Sequence, residues 1–169
     1  MSSDRRDHDP APERVAIVTG AGGGLGSAVA RLLAEAGGYR LSLVDNRREA
    51  VEDVADEVRA LGVEVEALAV DLGAAEAASA VVPRTIARFG RVDALVNAAA
   101  ILHRREFDDA TPADFDAVFH INTLAPFLLA RAAMPDMATR GWGRIVNVTS
   151  TGVYQGGFTM TSAQHLISN

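Results

Sequence analysis

Residues 15–26 read VAIVTGAGGGLG, the clearest chemical signature in the chain. Val15 to Val18 form a short apolar run of the kind that makes a buried strand. Gly20, Gly24 and Gly26 then permit a sharp turn and a close approach of backbone to a bulky anion. A helical pattern follows, and its first free N–H groups and the positive end of its dipole would point at that anion. A nucleotide pyrophosphate is the usual occupant of such a turn, and a plain tight connection is the alternative. Asp45 ends the next strand-like run, LSLVD, 19 residues after Gly26. A carboxylate there can accept both ribose hydroxyls of an adenosine and repels a 2′-phosphate, so it favours NAD over NADP. Arg47 and Arg48 offer a guanidinium that could hold that phosphate, and Asp45 could also be a solvated loop residue. Asp71, in AVDL, could hold an adenine edge or cap a helix.

Other chemistries find little support. With no cysteine there is neither a disulfide framework nor a thiolate metal site. His8, His103, His120 and His165 lie too far apart for metal-ligand spacing, so no metal site is expected. A net charge of −6 argues against a nucleic-acid surface. No apolar run approaches the roughly 20 residues that span a bilayer. The N-terminal MSSDRRDHDPAPE has no apolar stretch of the kind a secretory signal carries. Residues 1–13 therefore read as a disordered tail, and the expected location is the cytoplasm. All sixteen basic residues are arginine, and the chain contains no lysine.

The candidate residues need a scaffold that brings strand ends together. Strand-like runs at about 14–19, 40–45, 63–70, 92–97 and 143–149 alternate with helical patterns. Leu25, Ala28, Val29, Leu32 and Leu33 fall on one face of the first helix, stopped by Gly37 and Gly38. Val51, Val54, Ala55 and Val58 do the same in the second, closed by Gly62. The third covers about 74–89, with Val82, Ile86 and Phe89 inward and Pro83 as a kink or an inner start. The fourth opens at Thr111 and Pro112, a cap followed by proline at the first helical position, and reaches about 138 with a kink at Pro126. This alternation predicts an α/β fold with a doubly wound parallel sheet of about five strands, Rossmann-like, in a single domain over 14–169. After Ser150 the pattern fades.

Several segments then line up. TGAGGGLG (19–26) has the form TGxxxGxG. VDL (70–72), LVNAAA (95–100), Asn122 in HINTLAPF (120–127) and GRIVNVTS (143–150) follow in order. Together they resemble the short-chain dehydrogenase/reductase family over nearly the whole stretch from 14 to 150. The resemblance implies hydride transfer between a nicotinamide cofactor, NAD first and NADP second, and a small carbonyl or alcohol substrate. It implies that Thr19, Gly20, Gly24, Leu25 and Gly26 form the turn that holds the pyrophosphate. It places Asp45, Asp71, Leu72, Asn97 and Ala98 beside the cofactor. Asn122 and Ser150 match two catalytic positions: Asn122 kinks its helix and helps order a relay water, and Ser150 bonds the substrate oxygen. The plainer alternatives are that Asn97 bridges strands, Asn122 is a satisfied helix residue and Ser150 caps a strand end. Ala98 and Ala100 stand where the family has Asn and Gly.

The resemblance also implies a Tyr thirteen residues after Ser150 and a Lys four positions later; these positions hold Ala163 and Ile167. A shifted alignment of HLISN (165–169) puts Leu166 at the Tyr position. Tyr154 is too close to Ser150, and a lone His165 near the chain end is most often solvated. A phenol of pKa about 10 is a poor base at neutral pH without a nearby cation. The expectation is NAD(H) binding with little or no turnover. The family's next helix and two further strands are missing, so the fold is expected to be incomplete. RIVNV would then be a hydrophobic edge, exposed unless another chain covers it. A non-catalytic nucleotide-binding pseudoenzyme, a homo-oligomer or partner of a full-length relative, and a truncated or frameshifted gene product remain alternatives.

Overall fold

The computed structural model describes residues 13–102 and 109–150. The expected N-terminal tail lies almost wholly outside them, as do Ala163, His165, Leu166 and Ile167. The described strands are β1 (Arg14–Thr19), β2 (Tyr39–Asp45), β3 (Val65–Ala69), β4 (Ala94–Asn97) and β5 (Arg144–Asn147). They form one parallel sheet in the order β3-β2-β1-β4-β5. Helices α1 (Gly24–Ala36), α2 (Arg48–Ala60), α3 (Ala75–Phe89), α4 (Pro112–Phe119) and α5 (Ala125–Thr139) connect them. The doubly wound parallel sheet expected from the alternation is what forms.

Alternation along β1 divides the core into two layers. Ile17 packs with Val44, Leu68, Leu95, Val82 and Leu129 on the face covered by α3 and α5. Ala16 and Val18 face the other way, against Leu41, Leu43, Val51 and Val58, under α1 and α2. Between them these faces bury both sides of β1, which explains its unbroken apolar run.

Three helices depart from the expected detail, each for a local reason. Helix α1 buries Gly26, Ser27, Ala30 and Ala34, whereas Leu25 is exposed and Leu32 is 64% exposed. A Cβ on Gly26 would lie 2.2 Å from the Gly20 oxygen, so the first turn of α1 has no room for a side chain there, while Val29 and Leu33 of the expected face pack partly buried against the core. Helix α3 continues through Pro83, which rules out an inner start. The carbonyl of Ser79, deprived of its usual donor, lies on the exposed side of the helix. In the long helix the break precedes Pro126: a π-turn occupies His120–Leu124, with the Ala125 N–H reaching back to the His120 oxygen. Pro126 supplies no N–H for the Asn122 carbonyl, so the ladder widens just before it. The predicted start does form, with Thr111 capping and Asp114 completing a reciprocal capping box. Taken as one 28-residue helix, Pro112–Thr139 is apolar and long enough to cross a membrane, contrary to the expectation from contiguous runs. Here Leu129, Ala133 and Met137 of this helix pack on the sheet.

At the amino end of the sheet, fully buried Asp93 accepts hydrogen bonds from Val15 N–H at 2.8 Å and from Arg91 Nε and Nη2 at 2.7 and 2.6 Å. Asp136 pairs with Arg140 Nη1 and accepts from Val92 N–H at 2.9 Å. Arg140 Nη2 returns to the Val92 oxygen at 2.6 Å, and its Nε lies 3.5 Å from Asp93. Nearby, the Arg14 and Arg144 guanidiniums stack on Trp142 at 4.1 and 5.0 Å. Among the described residues β5 pairs with β4 alone, and its Val146 is 51% exposed, as a hydrophobic edge would be.

Candidate functional site

The carboxyl ends of β1, β2 and β4 meet at the glycine turn. Gly20 leaves β1 with φ of +66°, a conformation that favours glycine, and a Cβ there would lie 2.8 Å from the Ala99 backbone. Gly23 N–H donates to the Gly20 oxygen at 2.9 Å, closing the turn, and Ala21 N–H donates to the Val44 oxygen at 3.0 Å. Gly23 is also the N-cap of α1 and has no side chain to satisfy the helix's first N–H groups. Thr19 works inward. Its hydroxyl accepts from Ala98 and Ala99 N–H, both at 3.1 Å, and donates to the Val96 oxygen at 3.4 Å. Thr19 therefore holds the exits of β1 and β4 together.

Asp45, only 7% exposed, closes β2 beside this turn. Its Oδ2 accepts from Gly22 N–H at 3.0 Å. Its Oδ1 accepts from Arg47 N–H at 3.0 Å and Arg47 Nε at 3.2 Å. Asp71 Oδ1 accepts from Gly73 N–H at 2.9 Å, an Asx turn. The N-cap of α3 is Ala74, so the capping role open to Asp71 is not used. A cleft of about 320 Å³ lies over these strand ends, bordered by Gly20, Asp45, Asp71, Leu72 and Ala98.

A second hollow of about 450 Å³ adjoins it, sharing Ala99 and Ala100, and brings Asn97, Asn122 and Ser150 to one wall. Asn97 Nδ2 donates to Asn147 Oδ1 at 2.8 Å, bridging β4 and β5. Its Oδ1 is buried without a partner, an arrangement that asks for an explanation. Asn122, in the π-turn, uses both ends of its amide on one residue: Oδ1 accepts from Ile101 N–H at 2.9 Å and Nδ2 donates to the Ile101 oxygen at 3.1 Å. The helix irregularity thus delivers Asn122 to the segment leaving β4.

Of the residues singled out in sequence, Gly20, Asp45, Asp71, Leu72, Ala98, Asn97, Asn122 and Ser150 border the two joined hollows. Gly24 and exposed Leu25 do not border them, and Gly26 serves from below by admitting the Gly20 carbonyl. Sequence reasoning passed over Gly22 and Asn147. Gly22 was masked by its glycine neighbours, although a Cβ there would meet Ala50 at 2.8 Å and the Asp45 carboxylate at 3.1 Å. Asn147 stands in GRIVNVTS, opposite Asn97 in the parallel pairing.

Comparison with known proteins agrees with this geometry. Residues 14–162 match the family described as short chain dehydrogenase. Versicolorin reductase 1 of Aspergillus parasiticus is 37% identical over 81% of this chain and 52% of its own length. A metagenomic short-chain oxidoreductase solved in complex with NADP superposes with a TM-score of 0.85 and 34% identity, over 92% of this chain and 70% of that one. NAD+-bound xylitol dehydrogenase gives a TM-score of 0.82 and 34% identity, over 92% of this chain and 60% of that one. The chain spans about half the length of the curated relatives it matches.

Proposed function

Since the chain belongs to the short-chain dehydrogenase family, we propose that it binds a nicotinamide dinucleotide across the joined hollows, with NAD preferred to NADP. It carries the cofactor-binding part of an oxidoreductase acting on a small carbonyl or alcohol. The observation that carries this reading is the adjacency of the two hollows, which share Ala99 and Ala100. They run from a carboxylate at the end of β2, past a glycine turn, to Asn122 and Ser150.

A bound dinucleotide would supply the hydride acceptor or donor. The chain's own groups hold and orient it. The turn at Gly20 and the first N–H groups of α1 receive the pyrophosphate. Asp45 accepts from the adenosine ribose, and its charge opposes a 2′-phosphate. Asp71 and Leu72 flank the adenine, and Asn97 and Ala98 line the path toward the nicotinamide. Ser150 donates to or accepts from the substrate oxygen, and Asn122 steadies the wall by its grip on Ile101. Ala163 and Ile167, where the family's Tyr and Lys would fall, leave proton transfer without a base and its cation. Binding without turnover follows for these 169 residues. The exposed Phe119, Phe127 and Met134 on α4 and α5, with an edge of β5 that is unpaired among the described residues, favour association with a second copy or a longer relative.

Calorimetric titration of mass-verified protein tests this directly. NAD+ should bind, and NADP+ should bind more weakly. NADH should not be consumed with a panel of aldehydes and ketones. Absence of binding by either dinucleotide would overturn the whole reading. Tighter NADP+ binding would overturn the preference, and carbonyl reduction at a rate normal for the family would overturn the lack of turnover.

A further inference from the structure

We propose that Arg47 is a placeholder on Asp45: its guanidinium occupies, before the cofactor arrives, an acceptor position that a ribose hydroxyl then takes. This rests on the reading that the cleft holds the adenosine of a dinucleotide. A carboxylate offers about four lone-pair positions. Three are in use, by Gly22 N–H on Oδ2 and by Arg47 N–H and Nε on Oδ1. One remains, whereas two ribose hydroxyls need two.

The three donors are not equally able to leave. Gly22 N–H is held by the turn, wedged so that even a Cβ would strike Ala50 and the carboxylate. Arg47 N–H is held by the backbone of the α2 N-cap. The Arg47 side chain is 60% exposed and its guanidinium is held by a single 3.2 Å contact with Asp45, so it exchanges at little cost. Gly22 therefore sets where the carboxylate sits, and Arg47 sets how many hydroxyls it can receive. Once displaced, the guanidinium stays at the mouth of the site. There it offsets part of the repulsion between Asp45 and a 2′-phosphate. Arg47 thus weakens discrimination by competing against the ribose of NAD and by assisting NADP.

The test is Arg47→Ala, titrated calorimetrically with NAD+ and with NADP+, with Arg48→Ala as the neighbouring charge control. Arg48 opens α2 one residue away and, unlike Arg47, does not border the cleft, so the phosphate-holding role the sequence left open to both falls to Arg47 in this proposal. Arg47→Ala should tighten NAD+ by about two- to fivefold, the fold-change of a partly exposed ion pair. It should weaken NADP+ by about tenfold, the loss of one hydrogen bond between charged groups. Arg48→Ala should leave the ratio of the two affinities within about twofold of the unsubstituted protein. An unchanged ratio in Arg47→Ala, weaker NAD+ binding, or an equal change in Arg48→Ala would overturn the placeholder role. Failure of the unsubstituted protein to bind either dinucleotide would instead overturn the cofactor reading itself, and the proposal with it. Thermal midpoints of both variants show whether a loss of binding comes from unfolding.

Discussion

At the amino end of β4, Asp93 is surrounded by the Val15 N–H and the guanidiniums of Arg91 and Arg140. At the carboxyl end of the same strand, Asn97 gives its amide N–H to Asn147 and leaves its oxygen buried without a partner. Asp45, at the same edge, keeps one lone-pair position open. The amino end is knit by charged side chains already in the fold, although Arg140 Nε is buried there without a hydrogen-bond partner, 3.5 Å from Asp93. The carboxyl end is made of backbone, glycine and short side chains, and leaves part of its hydrogen-bonding capacity for something else. The two ends of one sheet hold their strands differently, one with charged side chains and the other with Thr19, Asn97 and backbone groups.

That division can be broken from either side. Asp93→Ala should cost about 3 kcal/mol of stability in urea unfolding, because it leaves the buried Val15 N–H and two half-buried guanidiniums without their acceptor. Dinucleotide affinity of the folded fraction should stay unchanged, and a parallel loss of affinity would show that the two ends are coupled. Gly26→Ala forces a Cβ to within 2.2 Å of the Gly20 oxygen. It should weaken dinucleotide binding by at least about tenfold while costing about 1–3 kcal/mol of stability; unaltered affinity would remove the turn from the ligand site. The smallest effect is the acid response of Asp136. Its hydrogen bond with Arg140 is the main cause holding this carboxyl below its ordinary 3.8, assisted by the Val92 N–H and the nearby arginine charges, against a smaller opposing effect of burial. A depressed carboxylate contributes stability that is fully present above its ordinary value and is lost as pH falls through its lower folded value. Thermal midpoints followed from pH about 5 downward should therefore fall less steeply in Asp136→Asn than in the unsubstituted protein.

Much of this architecture was legible because its causes are local. The β1 run, the glycine turn, the buried face of α2 and the Thr111 cap each follow from residues adjacent in the chain. Helix α1 was harder: Val29 and Leu33 of its expected face do pack on the core, but Leu25 and Leu32 are exposed and the most buried positions are the small residues Gly26, Ser27, Ala30 and Ala34. Pro126 signalled a break and the resemblance put a kink at Asn122; the π-turn at His120–Leu124 joins the two, because a missing N–H disturbs the carbonyl four residues earlier. The cluster of Arg91, Asp93, Asp136 and Arg140 could not be read, since its halves lie more than forty residues apart and only the pairing of β4 with the end of α5 joins them. Asp45 stood out in the sequence as a candidate ribose acceptor, but its existing partners Gly22 and Arg47 emerge only when the turn is folded.

The stacking of Arg14 and Arg144 on Trp142 has an optical consequence. Trp142 is the chain's sole tryptophan. It touches the residue that opens the central strand β1 and the one that opens the edge strand β5. All indole emission therefore originates at the end of the sheet away from the cleft. It changes when β5 peels from β4, whether or not the rest of the fold has melted. The protein carries a built-in fluorescent gauge of its own edge, set at the end of the sheet opposite the cleft.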